Sequence, residues 1–145
     1  MSGFKKITDD LYVSAQITAA DIAEAKAQGI TAIVNNRPDG EEPDQPDGST
    51  LARHAQDAGL SYTAIPVTHA GFGHGQIDAM AKVIDNAGGP VLAFCRSGTR
   101  SALLWALTAA QQGQSPAAIA AKAAAAGYDI TPIRPMVDML SAGRD

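Results

Sequence analysis

The sequence predicts a three-layer α/β domain, with a central, mainly parallel sheet flanked by helices on both faces. Three observations predict it. Short apolar runs of strand length alternate with helical stretches of ten or more residues, the pattern of βαβ units. Glycines and prolines fall between these runs. Of the 145 residues, 46% are apolar and only 5% aromatic, with abundant alanine, which suits helices packed closely on a sheet. The length suits one domain over residues 1–145, and no repeat or linker interrupts it.

The elements follow in order. Residues 11–14 form a short strand after an Asp9-Asp10 turn. Thr18 is an N-cap for a helix over residues 19–28, which Gly29 ends. Residues 31–35 make a second strand. Residues 36–47 hold three prolines, five carboxylates and a glycine, so they form a loop. Its length is one at which loops tend to be functional. Ser49 or Asp47 then caps a helix to residue 58, stopped by Gly59. A third strand covers residues 62–67, with Pro66 near its exit. A glycine-rich loop over residues 68–75 leads to a helix over 76–86. The apolar run at residues 91–94 is the next strand, and its loop leads into a helix from about Ser101 to residue 112. Ser115-Pro116 is an N-cap and N1 pair for a helix ending near Gly127, and a last helix spans residues 133–140.

Charge bounds the partners. The formal net charge is −4, so the chain carries no broad field for nucleic acid or anionic lipid. A single cysteine excludes an internal disulfide framework and an internal resolving thiol. Met1 to Lys6 carries basic residues with no apolar segment after them, and no window approaches the ~18 apolar residues of a membrane span. A cytoplasmic location is expected.

The stretch Val91-Leu92-Ala93-Phe94-Cys95-Arg96-Ser97-Gly98-Thr99-Arg100-Ser101 holds the chemistry. The only cysteine stands where a buried strand gives way to a tight polar loop, closed by an arginine at the start of a helix. Backbone N–H groups in such a loop form a concave anion site at the positive end of the helix. The same field favours thiolate over thiol, which makes Cys95 a nucleophile toward an oxyanionic or sulfur-containing substrate. In parallel sheets, sites form at the carboxyl ends of strands, so the loops beginning near Asn36, Thr68 and Cys95 are expected to converge.

This segment resembles the phosphate loop of cysteine-dependent tyrosine and dual-specificity phosphatases, whose pattern is Cys, five residues, Arg, then Ser or Thr. Leu11-Tyr12-Val13-Ser14, Ile65-Pro66-Val67, Ser115-Pro116-Ala117-Ala118-Ile119 and Pro135-Met136-Val137-Asp138-Met139-Leu140 resemble further segments of the dual-specificity type. More closely, Asn35-Asn36-Arg37-Pro38-Asp39-Gly40-Glu41-Glu42-Pro43 and the cysteine loop resemble the bacterial phosphatase-like domain found beside beta-lactamase-hydrolase-like proteins. The likeness covers nearly the whole chain. Three departures stand out. Only four residues separate Cys95 from Arg100. Phe94 stands where those phosphatases usually carry a histidine. Thr68 and His69 follow Ile65-Pro66-Val67, with no aspartate at the general-acid position.

The shorter loop is equally similar to that of rhodanese-like sulfurtransferases, which carry a persulfide on the cysteine. Those domains usually end about one helix after the loop, whereas 50 residues follow Cys95 here, which favours the phosphatase scaffold. The resemblance therefore implies a cysteine-dependent phosphatase-like hydrolase acting on a phosphorylated small molecule or phosphoprotein. The alternatives are a sulfurtransferase and a catalytically weak anion-binding module. No metal or organic cofactor is implied.

Residue roles follow. Cys95 is the nucleophile. Arg100 is expected to offer a bidentate fork to the oxyanion, and Arg96 is a possible second contact. Ser97, Gly98 and Thr99 supply N–H groups, with Gly98 providing a backbone angle closed to other residues. Ser101 could hydrogen-bond the thiolate and ease its departure, or simply open the helix. For the leaving group's proton, Asp39 and His69 are the candidates. Arg37 could pair with Glu41 and Glu42 or help bind substrate.

Overall fold

The computed structural model describes residues 3–68 and 70–143. Its sheet has five strands: β1 (Lys5–Thr8), β2 (Leu11–Ser14), β3 (Ala32–Asn35), β4 (Ser61–Ala64) and β5 (Val91–Phe94). They lie in the order β1-β2-β5-β3-β4. β2, β5, β3 and β4 run parallel, and β1 joins β2 antiparallel across the Asp9-Asp10 turn. The sequence reading has no β1. Its Lys5 and Lys6 are exposed, and this charged strand guards the sheet edge, so it lacks the apolar run that marks the others.

Among the described residues, six α-helices cover the two faces: α1 (Ala19–Ala27), α2 (Gly48–Asp57), α3 (His74–Asn86), α4 (Thr99–Gln111), α5 (Pro116–Ala125) and α6 (Arg134–Ala142). Side chains alternate across a strand, and β5 shows it. Leu92 and Phe94 join Ile33, Ile22 and Leu51 on the α1/α2 face. Val91 and Ala93 join Val34, Ile77, Leu104 and Leu107 on the opposite face. All four β5 residues are buried, as a central strand requires. α4 is buried from Ser101 to Ala110, a helix apolar all round because α3, α5 and α6 enclose it against the sheet.

Several boundaries differ from expectation. The third strand stops at Ala64 rather than at residue 67. Pro66 has no N–H to give, yet Ile65 and Val67 still donate to the carbonyls of Asn35 and Asn36, so the chain keeps alongside β3 as it leaves the sheet. α4 begins at Thr99, ahead of Ser101, because Gly98 turns the chain with φ of +91° and serves as its N-cap. For α2, Asp47 is the N-cap by backbone position but makes no side-chain cap. Asp39 Oδ1 instead accepts from Gly48 N at 2.9 Å.

Sheet register sets the position of the cysteine. Ser14 and Asn35 are the partners of Phe94 on either side. Cys95 N then donates to Ser14 O at 3.3 Å, and Asn36 N to Phe94 O at 2.8 Å. The thiol thus leaves the middle of the sheet between two strand ends that hold it from both sides.

Candidate active site

Cys95 is fully buried, and Gly98 N donates to its Sγ at 3.1 Å. That contact requires the loop to curl back on itself, which the left-handed Gly98 permits. A Cβ at Gly98 would run into the Tyr128 hydroxyl and crowd the Ser14 carbonyl carbon at 3.3 Å. Ser97 and Thr99 are exposed; the Ser97 hydroxyl donates to Thr99 Oγ1 at 3.1 Å and tightens the same turn. The Ser101 hydroxyl, buried, donates to Asn36 Oδ1 at 2.7 Å.

Arg100 reaches three acceptor atoms on two residues. Nη1 donates to Glu41 Oε2 at 2.8 Å and to Val67 O at 2.9 Å, and Nη2 donates to Glu41 Oε1 at 2.9 Å. A guanidinium has five N–H groups in a planar fork. These contacts use three of them and leave the edge formed by Nε–H and the second Nη2–H. The hydrogen bonds to Glu41 favour the charged guanidinium, and its interaction with nearby Cys95 adds to that, so the Arg100 pKa is raised above its ordinary value. The fork expected to meet a substrate oxyanion thus engages a protein carboxylate on one edge, with Cys95 close by.

Glu41 belongs to a wider network. Arg37, buried, donates from Nε to Glu41 Oε1 at 2.9 Å and from Nη2 to Glu42 Oε1 at 2.8 Å. Glu42 Oε1 also pairs with Arg96 Nε at 3.0 Å. Glu41 is held down to a pKa of about 2, first by its hydrogen bonds from Arg100 and then by Arg37, against the effect of burial. It is ionised at neutral pH and has no proton to donate. Glu41, Glu42, Thr68, Arg96 and Arg100 line a cleft of about 480 Å³. The loops that start near Asn36, Thr68 and Cys95 do converge there.

The two expected proton donors are placed differently. Asp39 does not line this cleft; with its Oδ1 on Gly48 N, it borders a separate depression beside Asn35 and Tyr62. His69 lies outside the described residues. The sequence left Arg37 either to pair with Glu41 and Glu42 or to help bind substrate; the structure shows the pairing, and also that Glu41 and Glu42 reach the cysteine loop, which the sequence did not indicate. Sequence reasoning also missed Asn36 as the partner of Ser101. The available signal was the carboxylate density of residues 36–47, though nothing local says which arginine each carboxylate meets.

A five-stranded mixed sheet, a cysteine at the end of its central strand, and an arginine closing the loop into a buried helix define a cysteine-based phosphatase-like fold. Residues 3–112 match the family described as beta-lactamase hydrolase-like protein, phosphatase-like domain, and the chain belongs to that family. A beta-lactamase hydrolase-like protein of Agrobacterium fabrum is 38% identical over 109 residues, which are 75% of this chain and 25% of that protein. The chain thus spans only part of the length of such relatives. The crystal structure of a candidate phosphatase from Neisseria meningitidis superposes with a TM-score of 0.85 at 34% identity, covering 97% of this chain and 99% of that one. TpbA of P. aeruginosa, solved in complex with pTyr, has a TM-score of 0.68 at 17% identity, covering 98% and 90%; this likeness is one of fold.

Proposed function

We propose that the chain is a cysteine-dependent phosphatase acting on phosphate monoesters. The observation that carries this reading is the juxtaposition at Cys95. Its Sγ accepts the Gly98 N–H at 3.1 Å, and Arg100, held by Glu41 through Nη1 and Nη2, also interacts with Cys95. Cys95 thiolate attacks phosphorus, the S–P bond forms, and the P–O bond to the leaving group breaks with its electron pair. The loop amides and Arg100 bind the non-bridging oxygens, whose charge they stabilise most in the transition state. The leaving oxygen takes a proton, from water or from His69. Water then attacks the cysteinyl phosphate, releasing inorganic phosphate and restoring the thiolate. Substrates of this chemistry are phosphorylated small molecules or phosphoproteins. A nucleophile that must stay reduced fits the cytoplasm.

A second reading rests on the loop length. Four residues between Cys95 and Arg100 make a smaller cradle, suited to a sulfane sulfur carried as a persulfide on Cys95. Parallel assays decide, one with an aryl phosphate and one with thiosulfate plus cyanide, on wild type, Cys95→Ser and Arg100→Lys. The phosphatase reading expects aryl phosphate turnover that Cys95→Ser abolishes. It also expects Arg100→Lys to lower turnover at least about a hundredfold, because lysine keeps the charge and loses the planar fork. Faster turnover of thiosulfate than of any phosphate ester would transfer the assignment to sulfur transfer.

A further inference from the structure

Arg37 reaches the cysteine loop by three routes. Through Glu41 it connects to Arg100. Through Glu42 it connects to Arg96. Its third donor, Nη1, goes to Gln16 Oε1 at 3.0 Å, and Gln16 N donates to the Arg96 carbonyl at 3.3 Å. Its own backbone N–H is held by Asn35 Oδ1 at 2.9 Å, at the end of β3. The Arg37 side chain is only 4% exposed, against 24% for Arg100 and 69% for Arg96. A buried guanidinium, hydrogen-bonded through each of its nitrogens, therefore stands behind two more exposed ones. Planar fork geometry makes each of its bonds directional, so fixing Arg37 fixes both carboxylates and, through them, both loop arginines.

We propose that Arg37 is a positioning residue for the anion site. It holds Arg96 and Arg100 in their working orientations without touching the substrate. A flexible arginine that must be ordered on binding costs affinity, and a preorganised one does not. This assignment rests on the reading of the Cys95 loop as an anion cradle, and it adds a residue outside the cysteine loop to that site.

The test uses two readouts. One is protection of Cys95 from iodoacetamide by inorganic phosphate, which needs no turnover. The other is kcat and KM on an aryl phosphate. Both are measured for wild type, Arg37→Gln, Arg37→Lys, Arg100→Lys and the Arg37→Gln/Arg100→Lys double variant, with thermal melts to establish folding. Arg37→Gln is expected to weaken phosphate protection about tenfold and to lower kcat, with Arg37→Lys intermediate. In the Arg100→Lys background the further effect of Arg37→Gln should shrink to about threefold or less, because one of the two arginines it positions is already gone and only the route to Arg96 remains. If Arg37→Gln does not fold, Glu41→Gln and Glu42→Gln each cut one route and leave Arg37 in place; both should weaken protection. A folded Arg37→Gln with wild-type protection, or full additivity with Arg100→Lys, overturns the proposal. So does wild-type protection in both glutamine variants. Wild type protected by phosphate yet inert toward phosphate esters would sink the hydrolase reading and leave the role of Arg37 standing. Wild type that phosphate never protects would sink both.

Discussion

Ser101 and Asn36 are joined by a buried hydrogen bond of 2.7 Å across a sequence separation of 65. Asn36 also gives its Nδ2 to Ile65 O at 2.9 Å and its backbone N–H to Phe94 O at 2.8 Å. One amide side chain thus ties the first turn of α4 to the segments leaving β3 and β4, while its backbone binds the end of β5.

Ser101→Ala would leave Asn36 Oδ1 buried without its donor. A buried acceptor that loses its partner costs roughly 1–3 kcal/mol. The expected result is a lower urea midpoint at unchanged m-value. Kinetics separate a second role. If the Ser101 hydroxyl also assists the departing thiolate, Ser101→Ala should show a burst of released phenol followed by a slower steady state. A lower midpoint without a burst assigns Ser101 to the Asn36 bond alone.

Gly98→Ala meets two obstacles. The left-handed φ of +91° costs a non-glycine residue roughly 1–2 kcal/mol, and the new methyl collides with the Tyr128 hydroxyl. The Gly98 N–H on Sγ depends on this geometry. Turnover should fall at least about a hundredfold, and stability should fall with it. Adding Tyr128→Ala should recover part of the stability by removing the clash, and little of the turnover, because the backbone angle is still wrong. Melting temperatures and kcat on the single and double variants check both halves.

Glu41 makes a pH prediction with a definite sign. Its carboxyl is lowered from 4.5 to about 2 by Arg100 and Arg37. A depressed native pKa stabilises the fold above the unfolded value and loses that contribution as pH falls through the native one. Glu41→Gln should therefore be less stable than wild type at pH 7. The gap should close between about pH 4.5 and 2, and urea titrations at stepped pH would follow it. Each pKa unit is worth about 1.4 kcal/mol at most, reduced by solvent screening at a side chain that is 28% exposed. No limb of the activity profile between about pH 5 and 8 should belong to Glu41.

Asp39 can be tested as a cap and as an acid at once. Asp39→Asn keeps an acceptor for Gly48 N, so stability should hold, whereas Asp39→Ala should cost about 1 kcal/mol. If the carboxyl protonates no leaving group, Asp39→Asn should lower the hydrolysis of alkyl and activated aryl phosphates by the same small factor, under about threefold. Selective loss on the alkyl ester would restore Asp39 as the general acid. His69→Gln in the same pair of assays asks that question of the other candidate.

Much of this was legible because it is written locally. Thr18 caps α1 in a capping box with Asp21, and Ser115 with Pro116 opens α5, as short-range signals predict. The apolar run at Val91–Phe94 and the glycine in the following loop announced a buried strand with a sharp exit. β1 was illegible because an edge strand has no apolar face to advertise: Lys5 and Lys6 are exposed and only Ile7 is buried.

From its residues alone, the chain determined that a cysteine would stand between a buried strand and a helix, with an arginine one turn on. Those features depend on periodicity, caps and a glycine, all within a few residues of one another. Only the tertiary structure decided what the loop arginines meet. Glu41 lies 59 residues from Arg100, and Ser101 lies 65 from Asn36. The parallel pairing of neighbouring β5 and β3 brings those segments to the same carboxyl end of the sheet. An ion pair has no sequence signature of its own, because any carboxylate suits any guanidinium until folding fixes which two face each other. Asp39 shows the same limit: a turn aspartate can serve as acid or cap, and the placement of α2 put Gly48 N in front of it.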